Sequence, residues 1–127
     1  MQNYLWIALG SALGGMARQW CSTLALRLYP SDLPWGTIAI NMVGSFAIGA
    51  FATLTGPENR FPLSLAARQF VMVGICGGYT TFSSFSLQTL ILARDGYLFG
   101  AALNVVLSVV LCLAAVALGH WLAAQFN

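Results

Sequence analysis

Apolar residues run through this chain in four long blocks, about Tyr4 to Leu28, Trp35 to Leu54, Arg68 to Ala93 and Tyr97 to Leu122. Each is long enough for a helix to cross a hydrocarbon core, which takes about 20 residues. The connections between the blocks hold the turn formers: Pro30, Asp32 and Pro34, then Gly56, Pro57, Glu58 and Pro62, then Asp95 and Gly96,. The pattern predicts an all-α, polytopic membrane protein, with one four-helix domain filling residues 1–127 and no room for a soluble one. Polar positions interrupt the blocks at a fixed interval. Thr37, Asn41 and Ser45 recur every four residues in the second block, and Asn104, Ser108 and Cys112 do the same in the fourth. On a helix such residues share one face. The two stripes could line one path, or they could bond to neighbouring helices as structural glue. Asn41 fits the second use least well, because its amide has four hydrogen-bonding sites to satisfy.

The third block carries the strongest signal, the run GGYTTFSSFS from Gly77 to Ser86. Hydrocarbon offers no water to loose amides and hydroxyls, so this run must face protein or an aqueous path. Phe82 and Phe85 lie three apart and share a face, with Thr81, Ser84 and Gln88 on a neighbouring polar track,. An aromatic ring is positive at its edge. Ring edges, hydroxyls and the Asn41 amide together suit an anion, and no acidic residue lies inside any block to repel one. Gly77 and Gly78 are the expected place for the helix to break, since glycine costs about 1 kcal/mol in a helix relative to alanine. Carbonyls freed by a break at membrane depth are commonly satisfied by a monovalent cation. The competing use of a glycine pair is close helix packing.

Composition narrows the class. The chain is 59% hydrophobic and 6% charged, which is too little charge for an ordinary soluble domain,. Five arginines, no lysine and a net charge of +2 form no nucleic-acid surface,. The start is uncharged until Arg18 and reads as a retained span rather than a cleaved leader,. Arg60 and Arg68 flank the middle connection, while Arg27 and Arg94 flank the other two. The positive-inside rule therefore returns a near tie, which suits insertion in both orientations and antiparallel pairing of two copies. Gly10 and Gly14, Ser11 and Gly15, and Ser45 and Gly49 are small-xxx-small pairs that could serve either packing within a subunit or dimerisation,. Arg18, well inside the first block, is read as an interface anchor or structural partner, with concentration of anions at a vestibule as the other use. Cys21, Cys76 and Cys112 read as packing residues, and His120 as a satisfied helix-end group,. No nucleophile lies with a base to make an enzyme. A proton-coupled exporter would need an intramembrane carboxylate, yet Asp32, Glu58 and Asp95 all fall in connections,. A noncatalytic membrane assembly subunit is the remaining alternative.

At this point the chain resembles the Fluc fluoride channels, also called CrcB proteins, over its whole length. The resemblance rests on GGMARQ leading to Arg18 and Gln19, on NMVGSFAIG from Asn41 to Gly49, and above all on GGYTTFSSFS. It implies a dual-topology antiparallel homodimer in the bacterial cytoplasmic (inner) membrane, with two pathways that passively export fluoride. By the same resemblance Phe82 and Phe85 are the aromatic pair of each path, Asn41 and Ser84 donate to the ion, and Thr37 lies near an inner ion site. Thr81 and Ser108 complete the expected lining. The backbone carbonyls of Gly77 and Thr80 from both subunits would hold one structural sodium ion. The chain departs from the family at Cys112 and Val116, where a hydroxyl track is usual, and at Gln88, near the place of a glutamate.

Overall fold

The computed structural model describes residues 1–127 and is helical, with no strand. Helices α1 (Gln2–Leu28) and α2 (Trp35–Thr55) each run unbroken. The third block is composite. It opens with α3 (Leu65–Gln69), continues as a π-helical segment (Phe70–Cys76) and α4 (Gly77–Tyr79), and resumes as α5 (Phe82–Arg94). Helix α6 (Leu98–Ala124) closes the chain. The start of α3 is fixed by Ser64, whose hydroxyl accepts the Ala67 amide at 3.2 Å, so this block begins three residues before the expected Arg68. Gly96, at φ +82°, makes the turn from α5 to α6, a conformation that glycine alone adopts cheaply.

Three stretches, Trp35–Thr55, Leu65–Arg94 and Leu98–Ala124, are long and apolar enough to cross a membrane. This is a multi-pass membrane protein. Helix α1 has the length at 27 residues, but Gln2, Asn3, Arg18, Gln19 and Arg27 make it more polar than the others. Burial is inverted relative to a soluble domain. Only 18 of 127 residues are buried, and among them are Thr37, Thr55, Asn104 and Ser108, while Leu9, Val43, Val110 and Leu113 are exposed. Lipid solvates such an apolar exterior, and Thr55, Asn104 and Ser108 find hydrogen-bond partners inside the chain,.

Small residues set the helix spacing. A Cβ added at Gly10 would stand 2.9 Å from the Gly74 Cα, and one at Gly14 would stand 2.8 Å from the Tyr79 amide nitrogen. Both glycines therefore lay α1 against the third block within one chain. Gly49 does the same for α2 against the Val116 backbone, whereas Gly15 has nothing within 4 Å. Gly78 packs on the backbone of Ser11, where an added Cβ would lie 2.7 Å from the Ser11 carbonyl oxygen. Helices α2 and α6 run parallel. Thr53 bonds His120 at a separation of 67 residues, and the same offset relates Gly49 to Val116. Carried along both helices, it sets Thr37, Asn41 and Ser45 level with Asn104, Ser108 and Cys112, so the two polar stripes lie in register.

Candidate functional site

Helical geometry lapses at Thr80, with ψ 159°, and at Thr81, with φ −151° and ψ 111°. The expectation placed the break at the glycine pair. Instead Gly77 and Gly78 are helical in α4, with Gly77 at φ −63° and ψ −38°. The reason is packing: Gly78 is needed where Ser11 comes close, and the extended residues are those whose backbone finds partners off the helix.

Those partners account for most of the exposed amides and carbonyls. Asn41 spans Thr81 with both ends of its amide: its Oδ1 accepts the Thr81 N–H at 2.8 Å and its Nδ2 donates to the Thr81 carbonyl at 3.1 Å. Thr80 turns both its amide and its hydroxyl back to the Cys76 carbonyl, at 3.0 and 2.9 Å. The Thr81 hydroxyl oxygen caps α5 by accepting the Ser84 amide at 3.1 Å. Arg18 donates from Nε to the Gly78 carbonyl at 3.1 Å. Hydrogen bonds from charged groups contribute about 1.5–3 kcal/mol. The break also frees carbonyls from their helical donors. The Thr81 amide, which would close a helical turn onto Gly77, is held by Asn41, and no donor reaches the Thr80 carbonyl.

Beside this stretch lies a groove of about 410 Å³. Helix α2 contributes Asn41, Gly44 and Ser45, the third block contributes Gly77, Thr80, Thr81, Phe82 and Phe85, and α6 contributes Ser108 and Cys112. Gly44 makes room for Thr80, since a side chain there would collide with the threonine methyl. The two phenylalanine rings stand 5.3 Å apart between centroids, tilted by 51°. Phe82 is 77% exposed on the open side. Ile48, Met72, Val109 and Leu113 complete a largely apolar wall, and no aspartate or glutamate lines it, so its few donors face no competing negative charge. One N–H of Asn41 remains beyond its bond to Thr81, since a primary amide has two.

Of the expected residues, the groove gathers Asn41, Thr81, Phe82, Phe85, Ser108, Gly77 and Thr80. Thr37 is buried one turn along α2, outside the lining, and Ser84 is part-buried at the start of α5, also outside it. Arg18 stands beyond Gly78 and does not line the groove either. Val116 lies against Gly49. Gln88 belongs to a separate cavity of about 350 Å³ with Asp32 and Asp95, and its Oε1 is buried without a partner. Behind the groove sit Thr89, to which the sequence reading gave no role, and Asn104, which it noted only as a member of the α6 stripe. Asn104 is 0% exposed and donates from Nδ2 to the Thr89 hydroxyl at 2.9 Å. Spacing was the signal for Thr89, which follows Phe85 by one helical turn.

Fold and site together define the class: a small all-helical membrane protein that holds a hydroxyl- and ring-lined groove against a stretch of non-helical backbone. The model of the family described as CrcB-like protein, Camphor Resistance (CrcB), matches residues 5–120. The chain belongs to this family. Among its relatives, one from Methylobacterium radiotolerans is 59% identical over 121 residues, covering 95% of this chain and 84% of its own length. One from Rhodospirillum rubrum is 57% identical, covering 98% and 97%, and one from Methylocella silvestris is 55% identical, covering 98% and 95%. All three bear the name fluoride-specific ion channel FluC.

Proposed function

We propose that this protein is a fluoride-selective channel and not an enzyme: it lets fluoride leave the cytoplasm passively and so lowers fluoride toxicity. The observation that carries this reading is the groove itself. In a membrane-spanning chain it brings Asn41, Thr81, Ser108 and the Phe82–Phe85 pair to one cavity free of carboxylates, and it does so in relatives' company that bears the fluoride channel name. Small anions are strongly hydrated, and fixed N–H, O–H and ring-edge dipoles replace part of that hydration without binding so tightly that the ion cannot leave. Ser84 donates to the ion and Thr37 lies near an inner ion site, although neither lines the groove of the single chain. Expression in a bacterium sensitised to fluoride is expected to restore growth in fluoride medium. Unchanged sensitivity, with the protein present in the inner membrane, contradicts the proposal.

The working unit is an antiparallel homodimer of dual topology, with four crossings per chain and the third interrupted at Thr80 and Thr81. Two features support it. Phe82 is exposed beside the groove, and the Asn41, Thr81 and Ser108 polar groups within it would be poorly satisfied against lipid,. Helix α1 packs along the third block through Gly10 and Gly14, which suits it to cross beside that block. The Gly77 and Thr80 carbonyls, left without helical donors, would hold a structural sodium ion together with the same pair from the inverted copy. Sodium supplies a fixed positive charge near the anion path; these residues supply neutral oxygen ligands, the kind a hard monovalent cation takes. After dialysis into potassium buffer, atomic emission is expected to find one retained sodium per two chains. No retained sodium in a folded dimer removes the ion from the account.

A further inference from the structure

Behind the groove, three hydrogen bonds run head to tail from its wall to the turn that carries Phe85. The Ser108 hydroxyl donates to Asn104 Oδ1 at 3.3 Å, Asn104 Nδ2 donates to the Thr89 hydroxyl at 2.9 Å, and that hydroxyl donates to the Phe85 carbonyl at 2.8 Å. The directions are mutually consistent. A threonine hydroxyl has one hydrogen, and here it is given to a carbonyl, which can only accept, so its oxygen is free to receive the amide. Asn104 is the one large side chain that is fully buried, at 0% exposure. An amide in such a site is costly to leave unpaired, and its two bonds give it a single orientation between α5 and α6.

We propose that Asn104 and Thr89 are positioning residues, a relay that fixes the Phe85 turn of α5 relative to Ser108 on α6. Neither residue lines the groove; both act through residues that do. The relay also couples the two sides. When Ser108 turns its hydrogen toward an ion in the groove, Asn104 Oδ1 loses its donor, so occupancy at Ser108 is felt at Phe85. The consequence for flux rests on the channel reading, whereas the positioning itself does not.

Thr89→Val removes the hydroxyl at nearly constant volume, Thr89→Ser keeps it, and Asn104→Leu removes the amide. The full-length protein, with 4-fluorophenylalanine at position 85, is reconstituted and read by fluorine NMR, by thermal unfolding and by fluoride efflux. The wild type and Thr89→Ser are expected to give the same single fluorine resonance. Thr89→Val is expected to shift or split that resonance and to slow efflux several-fold, because the turn is no longer held. An unshifted resonance in Thr89→Val overturns the relay, and so does a resonance that Thr89→Ser fails to restore. A lowered unfolding temperature with unchanged resonance and flux assigns Thr89 to plain stability and also overturns it. If the wild type moves no fluoride while Thr89→Val still shifts the resonance, the relay stands and the channel reading falls. Should Asn104→Leu fail to fold, the valine and serine variants at Thr89 decide alone.

Discussion

Replacing Phe82 or Phe85 with isoleucine is expected to leave a folded, assembled protein whose fluoride flux is at least about tenfold lower, equivalent to about 1.4 kcal/mol on the barrier. Isoleucine matches much of the buried volume but has no ring, and so no positive edge to set against an anion. The two positions differ in what else they touch. Phe82 is 77% exposed in the single chain, so its loss removes little packing within the subunit. Phe85 is part-buried, with its carbonyl held by Thr89, and its substitution should also lower the unfolding temperature. Efflux from vesicles, normalised to protein recovered as a dimer, separates the two effects. Flux undiminished in both variants removes the rings from the path.

Asn41→Leu is expected to be the most destabilising single change at the site. It removes both partners of Thr81, whose amide and carbonyl stand 2.8 and 3.1 Å from the Asn41 side chain. An unsatisfied buried backbone group costs about 1–3 kcal/mol, so losing two costs about 2–6 kcal/mol, a large part of the stability of a small domain. Where the freed Thr81 amide instead turns to the Gly77 carbonyl and closes a helical turn, its share of that cost is recovered, but Phe82 is aimed elsewhere. The measurement is thermal unfolding in detergent alongside a circular dichroism spectrum: a fall in unfolding temperature with a gain in helix signal is expected. A variant as stable as the parent contradicts the bracing role.

Much of this arrangement was legible in the residues. A four-residue interval in two helices marked Thr37, Asn41 and Ser45 and Asn104, Ser108 and Cys112, and the parallel register of α2 and α6 brings those stripes level. The concentration of hydroxyls around Phe82 and Phe85 pointed to the groove that contains them. What the sequence did not disclose are partnerships across long separations. Glycine is locally the easiest place to leave a helix, yet the departure falls at Thr80 and Thr81, because Asn41 lies 40 residues away and takes both backbone groups of Thr81. Arg18 finds its acceptor 60 residues on, at Gly78. The small-xxx-small pairs were compatible with packing within or between chains. Only the close approach of α1 to the Gly74 and Tyr79 backbone assigns Gly10 and Gly14 to the interior of one chain. Asn104 drew notice as a member of a stripe, but its task faces α5 through Thr89 and not the groove.

The central claim is that the groove bounded by Asn41, Phe82, Phe85 and Ser108 conducts fluoride. Its most direct test is ion efflux from vesicles that contain only this purified protein, started by a potassium ionophore and followed with fluoride and chloride electrodes. Rapid passive loss of fluoride, with chloride retained and no pH gradient required, is the predicted result. Vesicles that hold their fluoride although the protein is folded and paired, or that release chloride as readily, would contradict it.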